Sequence, residues 1–155
     1  MPSEDSQDEA KLAALLQRWA DGKATLREVR GYSNDELYAI AKTAYFFFYQ
    51  GRINEARTLF QGLYAVNPTD AYFAKALGVV EMAAGNGQGA LAAFDVAAKL
   101  APQDPAVYVG RAEVKLALNQ KQQAMEDLRR AAAMTPAEDP VVRKAGAMLT
   151  ALGRR

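Results

Sequence analysis

The chain contains no cysteine and no histidine among its 155 residues. The first absence removes disulfides and thiol nucleophiles, and the two together remove Cys/His zinc sites, Ser-His-Asp triads and imidazole acid–base chemistry. Most enzyme mechanisms lose their tools, so no catalytic residue, metal or cofactor is expected. Charge of one sign is also missing. Lysine and arginine total 19 against 18 acids, a net +1, so no global field recruits nucleic acid or an anionic membrane. Long apolar runs are absent as well: the richest stretch, Thr43 to Tyr49, is far short of the roughly 18 residues of a membrane span. The acidic start, Met1 to Glu9, is unlike the basic and then apolar start of a secretory signal. The expectation is a cytoplasmic protein without direct membrane or nucleic-acid binding.

What the chain does have is a period. Gly51, Gly85 and Asn119 are spaced 34 residues apart, as are Ala56, Ala90 and Ala124; Phe60, Phe94 and Leu128; Leu63, Ala97 and Ala131; and Pro68, Pro102 and Pro136. Five coincident spacings without an insertion point to the tetratricopeptide repeat, two antiparallel helices per unit. The expected repeats are 37–70, 71–104 and 105–138. Gly51, Gly85 and Asn119 fall between the paired helices, where a left-handed backbone must be tolerated. Ala56, Ala90 and Ala124 fall where the helices cross, and a larger side chain would wedge them apart. Asp70, Asp104 and Asp139 place capping carboxylates before the next helix, twice followed by proline. The third marks a terminal helix at about 140–152, which caps the open end of the stack.

Upstream, residues 1–7 are polar and expected to be disordered, and 8–36 form an N-terminal helical segment with a short element at Thr25 to Val29. Leu12, Leu15, Leu16 and Trp19 follow i, i+3, i+4, i+7 spacing. They either fold back on the repeats or form a dimer contact. Ser33-Asn-Asp-Glu36 reads as a capping box opening the first repeat helix. The fold class is all-α: three repeats in one right-handed superhelical domain between an N-terminal helix and a C-terminal capping helix.

The first helix of each repeat lines a trough, through positions 2, 5, 9 and 12. These are Tyr38, Ala41, Tyr45 and Phe48; Tyr72, Lys75, Val79 and Met82; and Ala106, Val109, Glu113 and Leu116, with Tyr49 at the rim. An aromatic, apolar trough suits an extended apolar peptide, with tyrosine hydroxyls free for its backbone. Phe46 and Phe47 are expected to pack in the core. Gly85-Asn-Gly-Gln-Gly89 lacks phosphate-loop spacing and reads as an inter-helix turn, and Arg129-Arg130 reads as a helical surface pair. The tetratricopeptide carboxylate clamp is not matched, because its lysine, asparagine and arginine positions hold Ala41, Tyr45, Ala76, Ala106 and Gly110.

At this point the chain resembles the translocator chaperones of bacterial type III secretion, the SycD/LcrH or class II family. The likeness covers about 22–134. It rests on Gly22-Lys-Ala-Thr-Leu26, Leu37-Tyr38-Ala-Ile-Ala41, Gly51-Arg-Ile-Asn-Glu-Ala56, Asp70-Ala-Tyr72-Phe73, Leu77-Gly78, Asp104-Pro105, Ala112-Glu113 and Ala124-Met-Glu-Asp-Leu128. The resemblance implies a bacterial cytosolic chaperone that holds an extended apolar segment of a hydrophobic translocator in its groove. It also implies homodimerisation through the N-terminal helix as a property to test. The alternative is a tetratricopeptide adaptor joining two proteins of another bacterial assembly.

Overall fold

The computed structural model describes residues 31–154, together with Ser3, Gln7, Ala10, Ala14, Leu15, residues 17–19 and Asp21. The expected disorder of 1–7, the element at Thr25 to Val29, and Leu12 and Leu16 therefore lie wholly or largely outside the described residues. Seven helices follow from residue 34 onward: α1 Asn34–Tyr49, α2 Ile53–Val66, α3 Ala71–Ala83, α4 Gly87–Leu100, α5 Pro105–Ala117, α6 Lys121–Ala132 and α7 Pro140–Gly153. Among the described residues there is no strand. The chain divides into two compact units, one ending at Pro68 and the other beginning at Thr69.

In the first unit α1 and α2 form an antiparallel pair. Ser33 Oγ accepts from the Glu36 N–H at 3.3 Å, so the expected cap starts α1 three residues ahead of the expected repeat boundary. The chain reverses through Gly51 at φ 81°. Leu37, Ile40, Ala41 and Ala44 of α1 are buried, as are Ala56, Leu59, Phe60 and Leu63 of α2.

The described residues of the N-terminal segment, Ala14, Leu15 and 17–19, are helical, and the turn at Asp21 follows them. Its two described leucine and tryptophan residues are covered within the first unit. Leu15 and Trp19 are buried, Trp19 to 5% exposure. The indole lies on Gly62 of α2, where a Cβ would stand 2.0 Å from a ring carbon. A methyl group there must expel the ring. Because Trp19 is the only tryptophan, Gly62→Ala should shift fluorescence emission to longer wavelength as the indole meets water, with helical content little changed. Unchanged emission would disprove this seat.

In the second unit α3 pairs with α4 and α5 with α6, while α7 packs on α6 and α5. Left-handed turns at Gly85 (φ 79°) and Asn119 (φ 60°) reverse the two pairs. Asparagine tolerates this region because its short side chain bonds locally. Asp70, Asp104 and Asp139 cap α3, α5 and α7: their Oδ1 atoms accept from Tyr72, Ala106 and Val141 N–H groups at 2.9, 3.0 and 2.8 Å. Each replaces one of the hydrogen bonds a helix start lacks. Ala90 and Ala124 are fully buried at the crossings, as Ala56 is in the first unit.

The glycine-rich stretch is only partly the expected turn. Gly85 turns, but α4 already begins at Gly87. Asn86 caps it by accepting from the Gly89 N–H at 3.1 Å, and a Cβ on Gly89 would lie 2.3 Å from the Asn86 amide. The glycine at 89 makes room for the cap.

Phe94 organises the middle of this unit. Its buried ring lies between two helices that each present a glycine: a Cβ on Gly78 of α3 would stand 2.7 Å from the ring, and one on Gly110 of α5 would stand 2.6 Å away. Missing side chains on both sides let one aromatic ring bridge a helix pair and its successor.

Candidate functional site

On α1 the residues expected to line the trough divide by depth. Tyr38, Tyr45 and Tyr49 recur at intervals of seven and four and so share a stripe. Tyr49 is 80% exposed, Tyr38 is exposed and Tyr45 half-buried. Tyr45 stacks with Tyr49 at 6.2 Å between ring centroids, meets Phe48 edge-on at 6.4 Å, and stands edge-on over buried Phe60 at 4.9 Å. Offset and edge-to-face pairs of this kind hold rings in fixed orientations.

Two expectations about α1 are corrected. Ala41 is fully buried, so it packs beneath the stripe and presents nothing to a ligand. Phe46, expected in the core, is 59% exposed. It lies eight residues from Tyr38, beside the stripe and away from the side covered by α2. Phe47 is half-buried beneath the Arg52 guanidinium, 4.2 Å from its ring centroid. A hydrogen bond to Glu55 holds Arg52 above its ordinary pKa, with partial burial opposing and the charges of Glu55 and Asp21 assisting. Phe46 was legible only as an i+8 partner of Tyr38, a weak signal inside a run of five aromatic residues.

In the second unit α3 presents Tyr72, Lys75, Val79 and Met82 along one stripe. Val79 is 37% exposed, and the other three are half-buried. Tyr72 meets Phe73 edge-on at 5.7 Å. On α5 Glu113 is exposed, whereas Val109 is buried and so belongs to the packing between helices rather than to any lining. Ala106 and Leu116 are half-buried.

Both charged residues of this stripe are answered from within the unit. Lys75 Nζ donates to Asp104 Oδ2 at 2.8 Å, while the other oxygen of that carboxylate caps α5. Glu113 pairs with Lys144 of α7 at 2.9 Å. A ligand on this face therefore meets charges already compensated, an arrangement that favours neutral and apolar chains over acidic or basic ones. Among the described residues no three His, Cys, Asp or Glu side chains gather as metal ligands, and no helix is long and apolar enough to cross a membrane.

A family model described as tetratricopeptide repeat matches residues 42–105. No curated protein matches the chain by sequence. Solved structures match its fold. PcrH in complex with the chaperone binding region of PopD is 27% identical with a TM-score of 0.74, covering 81% of this chain and 96% of that one; PcrH is from Pseudomonas aeruginosa. PcrH with the chaperone binding region of PopB is also 27% identical, with a TM-score of 0.71 and coverage of 77% and 98%. The Yersinia enterocolitica type III secretion translocator chaperone SycD is 23% identical with a TM-score of 0.73 and coverage of 83% and 98%; at that identity it supports the fold.

Proposed function

We propose that the chain, whose residues 42–105 match a tetratricopeptide-repeat model and whose fold is like that of PcrH, binds an extended apolar segment of a hydrophobic type III secretion translocator. Binding keeps that protein soluble and competent for export from the bacterial cytoplasm. The repeats divide at 37–70, 71–104 and 105–138, and their first helices supply the contact residues.

One observation carries the reading: Tyr38, Phe46 and Tyr49 are exposed on α1 of the first unit, and within the second unit the charges of α3 and α5 are separately paired. Tyr49, Phe46 and Tyr38 offer ring area at little cost in side-chain entropy, the composition that dominates binding hot spots. Val79 and Met82 add smaller apolar area on α3. A translocator presents apolar helices that aggregate or insert into a membrane too early unless covered. The two PcrH complexes hold chaperone binding regions of two different proteins, which supports one face serving more than one client. No acid–base or nucleophilic chemistry enters this reading, and the chain acts by covering a surface.

Tyr45 is a poor probe of this face, because a charge at that position would also lie against buried Phe60. Tyr49 stands clear. Co-expressed with a hydrophobic translocator, the wild-type chain should co-purify with it as a soluble complex. Tyr49→Glu should weaken the complex by about 2 kcal/mol or more, roughly thirtyfold, because a carboxylate is forced into an apolar contact. Its melting temperature should match wild type. Equal recovery with wild type and Tyr49→Glu would rule this face out as the binding surface. A translocator left insoluble beside a folded chain would favour an adaptor of another assembly.

A further inference from the structure

A second candidate site lies elsewhere in the second unit. Between α4, α5 and α6 is a cavity of about 360 Å³, lined by Asp95, Lys99, Pro102, Tyr108, Arg111 and Arg130 among others. An α-helix turns about 100° per residue. Tyr108 and Arg111 therefore lie on the opposite side of α5 from Val109 and Glu113, and this cavity does not share the face discussed above.

Three cations and one carboxylate line it, an excess of two positive charges. Their roles differ. Arg111 is fixed: its Nε and one terminal nitrogen donate to the two oxygens of Asp127 at 2.9 and 2.7 Å, and the other terminal nitrogen donates to Asp95 at 3.1 Å. Lys99 and Arg130 have no carboxylate partner among the described residues. Arg130 is nonetheless positioned, with its guanidinium 4.9 Å from the centroid of the buried Tyr108 ring, and Arg111 stands 5.4 Å from the same ring. Aromatic stacking of this kind orients a guanidinium while leaving its edge N–H groups free. A preoriented fork that pairs with no carboxylate of the described residues can receive one from a ligand.

We propose that this cavity binds an acidic peptide segment, taking a glutamate or aspartate side chain on Arg130 and Lys99 while adjoining apolar atoms rest on Pro102 and Ala98. The volume holds an acidic side chain and part of its neighbours, far more than a single small anion fills. Asp95, half-exposed on the same wall, further disfavours a compact dianion and leaves a carboxylate on a peptide as the better fit.

The test is fluorescence anisotropy of a labelled hexapeptide of alternating glutamate and leucine, titrated with the full chain at low salt. A lysine-for-glutamate peptide is the control. Saturable binding of the acidic peptide is expected, with no binding of the basic one. Arg130→Gln should weaken it at least tenfold and Lys99→Gln several-fold, and because Lys99 is exposed its loss is not expected to disturb folding. Absence of binding, or equal binding by wild type and both variants, would overturn the proposal. So would complete displacement of the peptide by inorganic phosphate at comparable concentration, which would make this a free-anion site. Translocator recovery by Arg130→Gln should equal wild type, so the two readings fail separately.

Discussion

Asp127→Ala should destabilise the second unit by about 3–5 kcal/mol, the range found when one partner of a buried ion pair is removed. Asp127 is a nearly inaccessible carboxylate on α6 that receives both the Arg111 fork and Lys115 Nζ, the latter at 2.7 Å. The cation side chains are themselves only 17% and 13% exposed. Without the carboxylate two covered cations face each other one helical turn apart on α5, and only Arg111 keeps a partner, Asp95. Hydrogen bonds to Asp127 are the main reason the Arg111 guanidinium sits above its ordinary pKa, with Asp95 adding to the effect and burial opposing it. The sign follows. A group raised in the folded state gives stability that is complete below its unfolded pKa and is lost only as pH rises past the folded one. For arginine that window lies at extreme alkali, so titration of Arg111 leaves neutral-range stability unchanged. The measurement is a thermal melt followed by circular dichroism. For a unit of this size the loss corresponds to a fall of more than about 10 °C. Asp127→Asn, which keeps hydrogen-bonding capacity without the charge, should fall between alanine and wild type. A melt within about 2 °C of wild type for Asp127→Ala, under half a kcal/mol on the same scale, would show that water reaches these cations after all.

Phe94→Ala should cost a similar amount, about 3–5 kcal/mol, for a different reason. The ring is buried between Gly78 and Gly110. Glycines have no side chain to swing into the space it leaves, so the void persists unless α3 and α5 move together. The diagnostic experiment is a double-mutant cycle. In the wild-type background Gly110→Ala should destabilise by about 1–3 kcal/mol, because the methyl group overpacks a ring that cannot retreat. In the Phe94→Leu background the same methyl should cost much less, or stabilise, by filling part of the vacated volume. The two changes should therefore be non-additive by about 1 kcal/mol or more. Simple additivity in denaturant melts would show that ring and glycine are not in contact.

The features legible in the amino-acid sequence are those whose cause is local. A left-handed turn needs glycine or asparagine where it occurs, and Gly51, Gly85 and Asn119 all have positive φ. A helix start needs an acceptor within a few residues, and Ser33, Asp70, Asp104 and Asp139 each provide one. The period of 34 then places the buried alanines and Phe60, Phe94 and Leu128. Orientation within the run Tyr45 to Tyr49 was not legible. Five consecutive aromatic residues carry little polar mark of phase, so only the weak i+8 relation to Tyr38 distinguishes Phe46, which faces solvent, from its neighbours. Ala41 and Val109 fit the trough by position, but their exposure is decided by what packs over them. Long-range partners were hidden for a related reason. Lys75 meets Asp104 across 29 residues, and Arg130, read from the sequence as part of a helical surface pair, comes to one cavity with Lys99 and Arg111 only when the helices pack.

The paired glycines around Phe94 bear on whether these repeats are interchangeable. Equal length and equal caps suggest modules that could be duplicated at will. Insertion of a second copy of 71–104 after residue 104 would satisfy the capping chemistry at each junction, since an aspartate precedes each new helix. It would not satisfy the packing. The inserted copy would bring Ala76 to the place where Gly110 receives the Phe94 ring, adding a methyl group where no Cβ fits. The joint at Phe94 is thus specific to the helix that follows it, and a copy inserted there would need glycine in place of Ala76 to receive that ring.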